Sequence, residues 1–147
     1  MRIIQIALFS LLLFGAGCAA MKKGDKTKTG QMPAALSGTW VLDFIPTPSG
    51  TLDSLYPTRK PELTFEPAKK RFHGYSGCNG MNGPLVGEGH NISFRDDIVM
   101  TMMACPGNGE GVFMETLKKI NRFDISADGK TLTMIQGDIA LLRFHKK

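Results

Sequence analysis

The sequence predicts a mainly β chain of α+β class, with short antiparallel strands around a single helix. Three observations carry this. Apolar and polar residues alternate in short runs, the mark of half-buried strands. Turn residues punctuate the runs at short intervals, which favours a barrel or sandwich over alternating βαβ units. Only residues 110–121 place apolar side chains at helical spacing. A length of 147 residues suits one domain, and a hydrophobic fraction of 42% is enough to build a core.

The elements follow in order. Residues 38–45 (Gly-Thr-Trp-Val-Leu-Asp-Phe-Ile) read as a first strand with Trp40, Leu42 and Phe44 on one face. Pro46, Pro48 and Pro57 then make the stretch up to Lys60 a loop. Residues 62–66 and 71–75 form a hairpin, with Leu63 and Phe65 inward on one arm and Phe72 on the other. Next comes Gly74-Tyr75-Ser76-Gly77-Cys78-Asn79-Gly80-Met81-Asn82-Gly83, with four glycines at a spacing of three. Glycine and asparagine tolerate positive φ, so this stretch predicts a tight corner poor in side chains.

Leu85 and Val86 begin another strand, residues 91–95 alternate cleanly, and the methionine-rich 98–103 is extended until Pro106 and Gly107. On the helix, Phe113, Leu117 and Ile120 make the apolar stripe. Asn108 is the expected N-cap, and Glu110 favours the positive end of the helix dipole. Residues 122–127 and 131–136 flank the hairpin turn Asp128-Gly129, and a last strand covers 139–144. The total is about eight strands.

The first residues point to export. Arg2 precedes the apolar run 3–14, which is too short to cross a bilayer but suits a signal segment. Phe14-Gly15-Ala16-Gly17-Cys18 resembles a bacterial lipoprotein signal. That resemblance implies cleavage before Cys18 and acylation of its sulfur. The expected organisation is a signal peptide over 1–17, a flexible tether over 18–36 with a lipidated Cys18, and a folded domain over 37–147. Membrane lipid is then the first partner, through acyl chains that contribute about 0.8 kcal/mol per buried CH₂.

Charge is partitioned in the same way. The formal net charge is +5, but from Ser37 onward 13 Lys and Arg stand against 12 Asp and Glu. The excess lies in Arg2, Lys22, Lys23, Lys26 and Lys28, where it suits anionic headgroups or a plain solvated linker. No basic stripe interleaved with aromatics remains in the domain, so nucleic acid is not an expected partner.

Of the three cysteines, lipidation of Cys18 leaves Cys78 and Cys105 as an even pair. In an exported domain the first expectation is a disulfide. Two buried free thiols, a catalytic Cys78 thiol, or a metal site with His73 are the alternatives. His73 and His145 alternate with phenylalanine, which places them on a solvent face. There is no Cys-x-x-Cys, His-Glu-x-x-His or calcium-loop pattern, and no phosphate-binding glycine motif, so neither metal nor cofactor is expected. Met81, Met100, Met102, Met103 and Met114 are expected to fill core gaps, since Met100 and Met102 share a strand face. Cu(I) capture by soft thioethers is the sharper alternative.

The chain resembles the META domain, or HslJ-like, family of bacterial envelope proteins. The resemblance rests on 36–42 (Leu-Ser-Gly-Thr-Trp-Val-Leu), 63–65 (Leu-Thr-Phe) and 77–83 (Gly-Cys-Asn-Gly-Met-Asn-Gly). It continues through 92–94 (Ile-Ser-Phe), 101–105 (Thr-Met-Met-Ala-Cys), 113–117 (Phe-Met-Glu-Thr-Leu) and the closing hairpin. It covers about residues 36–145. The distinctive residues are Gly77, Cys78, Asn79, Gly80, Asn82 and Gly83, with Thr101, Met103 and Cys105.

The resemblance implies a compact antiparallel β-barrel-like domain with one packed helix. It also implies a non-catalytic role in envelope stress or integrity, or in binding an unidentified protein or small molecule. A monomeric domain is expected. A small-ligand carrier with a cavity inside the barrel and a thiol enzyme using Cys78 are the competing readings. For the carrier, the discriminating question is whether Trp40, Phe65, Phe72, Phe94 and Phe144 fill the interior or line a void.

Overall fold

A computed structural model describes residues 31–47, 50–94 and 97–147. The signal segment, Cys18 and the basic part of the tether lie outside the described residues.

The chain is mainly β, as its alternation predicts. Strands β1 (Gly38–Phe44), β2 (Glu62–Glu66), β3 (Arg71–Tyr75) and β4 (Gly80–Pro84) form an antiparallel meander. A short helix α1 (Leu52–Leu55) interrupts the expected loop between β1 and β2, started by a capping box at Thr51 and Ser54. Strands β5 (Val86–Glu88) and β6 (Asn91–Ser93) make a hairpin, and β7 (Val99–Met100) returns to pair with β4. Helix α2 (Gly109–Leu117) precedes a second meander of β8 (Arg122–Ile125), β9 (Thr131–Gln136) and β10 (Ile139–Lys146).

The described residues thus form one ten-stranded sheet, in the order β5-β6-β8-β9-β10-β1-β2-β3-β4-β7. Strands β4 and β5 lie near opposite ends of that order, yet only Leu85 separates them in the chain. One residue spans at most about 3.6 Å. The sheet must therefore curl until its two ends meet, and this produces the barrel-like form. Two departures from the expected strand count follow. The glycine-rich stretch supplies a strand of its own, β4, which pairs with β3 along Gly80–Pro84. The extended 98–103 contributes only two paired residues, Val99 and Met100.

Alternate residues along the strands close the interior. Trp40, Leu42, Leu63, Phe65, Phe72, Phe94, Leu132, Met134, Leu142 and Phe144 are all buried. The rings of Phe65, Phe72 and Phe94 meet at centroid distances of 5.2 to 6.3 Å. All five aromatic residues that would have lined a carrier's cavity are 0 or 1% exposed, so they fill the interior. A side chain facing a void wide enough for water would retain accessible surface, and these retain almost none.

The predicted inward face of β1 holds at Trp40 and Leu42 but fails at Phe44. Pairing with β10 shifts register between Leu42 and Phe44. The side chains beyond the shift change face, so Phe44 is 43% exposed and Ile45 is buried. The packed body also begins before Ser37. Leu36, expected in the tether, is fully buried and its carbonyl accepts the indole N–H of Trp40 at 2.8 Å.

Candidate functional site

Residues 76–79 turn the chain from β3 into β4, and both cysteines of the distinctive segments meet there. Ser76 is fully buried and Asn79 is 2% exposed. The Ser76 N–H donates to the Asn79 carbonyl at 2.8 Å, and the Asn79 N–H donates to Ser76 Oγ at 3.0 Å. Between them, Gly77 sits at φ +100°, and a Cβ there would meet the Tyr56 ring at 2.5 Å. A side chain is excluded twice, by conformation and by the neighbouring ring.

Cys78 and Cys105 are bonded, with their Cα atoms 5.8 Å apart. The bridge ties the corner to the methionine segment just ahead of α2. Beneath it, the Asn79 side chain uses both ends. Its Oδ1 accepts from Thr101 Oγ1 and from the Met103 N–H, each at 2.8 Å. Its Nδ2 donates to the Met103 carbonyl at 3.2 Å and to Glu110 Oε1 at 3.1 Å, and lies 3.1 Å from Cys105 Sγ. The backbone adds Thr101 N–H to the Gly80 carbonyl at 3.0 Å and Gly80 N–H to Thr101 Oγ1 at 3.1 Å.

Glu110 completes the lock. Its Oε2 accepts from Ser76 Oγ and, at 3.1 Å, from the Asn79 N–H. It lies in the first turn of α2, but its carboxylate reaches across to the corner. Among the described residues it has no ion pair. The expected cap at Asn108 makes no side-chain bond to the helix. What seats the helix start is close packing: a Cβ on Gly109 would meet the Leu55 carbonyl at 2.6 Å. Tyr56 Oη donates to the Gly109 carbonyl at 2.8 Å, and burial pushes its hydroxyl pKa up to about 12.

The structure thus gathers Gly77, Cys78, Asn79, Gly80, Thr101, Met103 and Cys105 at one place. Asn82 and Gly83 lie farther along β4, where they pair with His73 and Phe72. Ser76, Glu110 and Tyr56 belong to the lock and escaped the sequence reading. Ser76 carries a faint signal, a serine three residues before Asn79 that suits a side-chain turn. Glu110 and Tyr56 carry none, since each acts on residues remote in the chain.

The methionines correct another expectation. Met81 is buried, but Met102 is 97% and Met103 60% exposed. The strand that would have turned Met102 inward stops at Met100. Met100, Met102, Met103 and Ala104 instead line a groove of about 610 Å³ beside Asn79 and Glu110.

For nucleophilic chemistry, Cys78 offers no thiol while bonded. His73 and His145 lie on the outer face, 3.9 Å from Glu66 and 4.0 Å from Asp43. His90 stacks on Phe123 at 5.2 Å. Among the described residues, the cluster of metal-ligating types is Cys78, Cys105 and Glu110, with donor atoms within 4.8 Å of one another.

A family model described as META domain matches residues 34–147. Three solved structures share the fold. An NMR structure of a protein from Burkholderia xenovorans aligns at a TM-score of 0.58 and 19% identity, covering 98% of this chain and 99% of that one. A second NMR structure aligns at 0.53 and 21% identity, covering 76% and 90%. The crystal structure of a DUF4847 family protein from Bacteroides vulgatus aligns at 0.51 and 15% identity, covering 78% and 95%. No curated protein matches the chain.

Proposed function

This chain belongs to the META domain family, and on that premise we propose that it is a non-catalytic, lipid-anchored domain of the bacterial envelope that presents a binding surface to a partner. One observation carries the reading: two of the three cysteines are bonded to each other. Disulfides persist in oxidising compartments. The third cysteine, Cys18, follows a segment of export type, which provides both the route out and the anchor. The binding surface is the methionine segment, held rigid against the corner while Val99, Met102 and Met103 stay exposed. Flexible thioethers suit a surface that meets varied apolar partners.

Two measurements test this. In envelope fractions, the mature chain is expected to lack residues 1–17 and to carry acyl mass on Cys18, and Cys18→Ser is expected to leave the membrane fraction. Retention of Cys18→Ser with the membrane would remove the anchor from the proposal. A photoreactive residue substituted for Met102 is expected to capture a partner in intact cells. The same residue at Lys130, in the turn between β8 and β9, is the control, and equal capture at both positions would remove the assigned surface.

A further inference from the structure

We propose that Cys78, Cys105 and Glu110 form a redox-gated zinc site, closed while the bridge stands and competent for one Zn²⁺ once a thiol reductant opens it. The three donors come from three separate segments: the corner, the methionine segment and the first turn of α2. Their ligand atoms already lie within 4.8 Å of one another, and all three residues are half-buried. Two thiolates on one tetrahedral zinc sit about 3.7 Å apart. A Cα separation of 5.8 Å admits that spacing by side-chain rotation alone.

The carboxylate is prepared for the part. Oε2 is engaged by Ser76 and the Asn79 N–H. Oε1 accepts one described bond, from Asn79 Nδ2, and lies 3.5 Å from Cys105 Sγ. An ionised carboxylate oxygen has two acceptor sites, so one lone pair remains beside the sulfur. Asn79 Nδ2 also lies 3.1 Å from Cys105 Sγ and 3.7 Å from Cys78 Sγ. The amide's bond to Glu110 Oε1 holds that carboxylate in place, the part of an outer-shell group that orients a metal ligand.

Ligand type selects the ion. Two thiolates exclude calcium and magnesium, and the carboxylate oxygen suits zinc better than Cu(I). Once the two thiol protons are displaced the three donors are anionic, and no Lys or Arg pairs with Glu110 among the described residues. A divalent cation supplies the missing charge. Three protein ligands leave a fourth position for water, and of the three Glu110 also lines the groove beside Met103.

The chemistry balances in two steps. A dithiol reductant attacks the bridge, passes through a mixed disulfide, and leaves as its own cyclic disulfide while Cys78 and Cys105 each gain a thiol hydrogen. Zn²⁺ then binds both sulfurs and displaces the two thiol protons.

The test uses the full chain carrying Cys18→Ser, so that only the pair can titrate. Reduced and oxidised samples are titrated with Zn²⁺ against a chromophoric chelator. One Zn²⁺ per reduced chain is expected and none per oxidised chain, with release on reoxidation. Co²⁺ in place of Zn²⁺ is expected to show the thiolate charge-transfer band. Glu110→Gln is expected to weaken binding by about tenfold or more, on the scale seen when a metal site loses a supporting group. His73→Ala is expected to change nothing. Zn²⁺ is also expected to raise the thermal midpoint of the reduced chain, which keeps the test valid if reduction loosens the fold. Equal binding by both redox forms, no thiolate band, wild-type affinity in Glu110→Gln, or a reduced chain that Zn²⁺ neither binds nor restores would each overturn the site.

Discussion

Two turns in this molecule are held in opposite ways. The Asp128-Gly129 turn is held by its own residues: Asp128 Oδ1 accepts from Ser126 Oγ at 2.5 Å and from the Lys130 N–H at 3.0 Å, and Ser126 Oγ accepts from the Thr131 N–H at 2.9 Å. The corner at Ser76–Asn79 has local bonds too, but its fixing contacts come from Thr101, Met103, Cys105 and Glu110, between 22 and 31 residues away. The first turn draws these bonds from residues 126–131 alone. The second draws its side-chain contacts from the methionine segment and α2. The difference predicts which substitutions are felt across the fold and which stay local.

The largest effect is expected from breaking the bridge. Cys78→Ser with Cys105→Ser removes a link across a sequence separation of 27. Loop entropy alone puts the cost near 3.5 kcal/mol. Denaturant unfolding followed by circular dichroism measures it, and an unchanged midpoint would mean that hydrogen bonds alone hold the corner.

Asn79→Ala comes next. It strands the Thr101 hydroxyl, the Met103 N–H and one side of Glu110, for a loss of roughly 2 to 3 kcal/mol. Hydrogen exchange is expected to quicken at Met103 and at the start of α2 while the β9–β10 hairpin keeps its protection. Uniform quickening would show that the corner is not a separate unit.

Asp128→Ala sharpens the comparison from the other side. It is expected to shift the midpoint by an amount at the small end of what surface substitutions give, with exchange changed only within its own hairpin.

The smallest effect is electrostatic. Hydrogen bonds from Arg71 and then Lys69 hold the partly exposed Glu66 carboxyl down to about 2, against 4.5 for a free glutamate. A depressed folded pKa adds stability above the unfolded value and loses it as pH falls through the folded one. The contribution is therefore whole above pH 4.5 and gone near pH 2. Glu66→Gln is expected to flatten the acid limb slightly in that window, and a limb of unchanged slope would show that the ion pairs are not felt.

The same contrast explains what was legible in the sequence. Alternation placed Trp40, Leu42, Phe65, Phe72 and Phe144 inside, and Asp128-Gly129 marked the last hairpin, because both depend on neighbouring residues. The helix stripe of Phe113, Leu117 and Ile120 was legible for the same reason, although α2 itself stops at Leu117. The exchange of Phe44 for Ile45 was not legible, since the register shift that causes it lies in the pairing with β10. Nor was the exposure of Met102, because alternation cannot say where a strand loses its partner. In the site, glycine and asparagine announced a corner and cysteine arithmetic announced a pair. Glu110 looked like a helix-dipole residue, and its reach to Ser76 and Asn79 depends on a packing that no local window contains.

The strands that begin and finish the domain are neighbours. Trp40 stands opposite Lys146, and the Lys147 N–H donates to the Thr39 carbonyl at 2.9 Å. The start of β1 and the finish of β10 therefore lie at one end of the same antiparallel ladder, whose rungs run across the strands. Tension applied between those two points meets the rungs one at a time and peels β1 from β10 like a zipper. A pull on the β1 end alone leaves that seam unloaded.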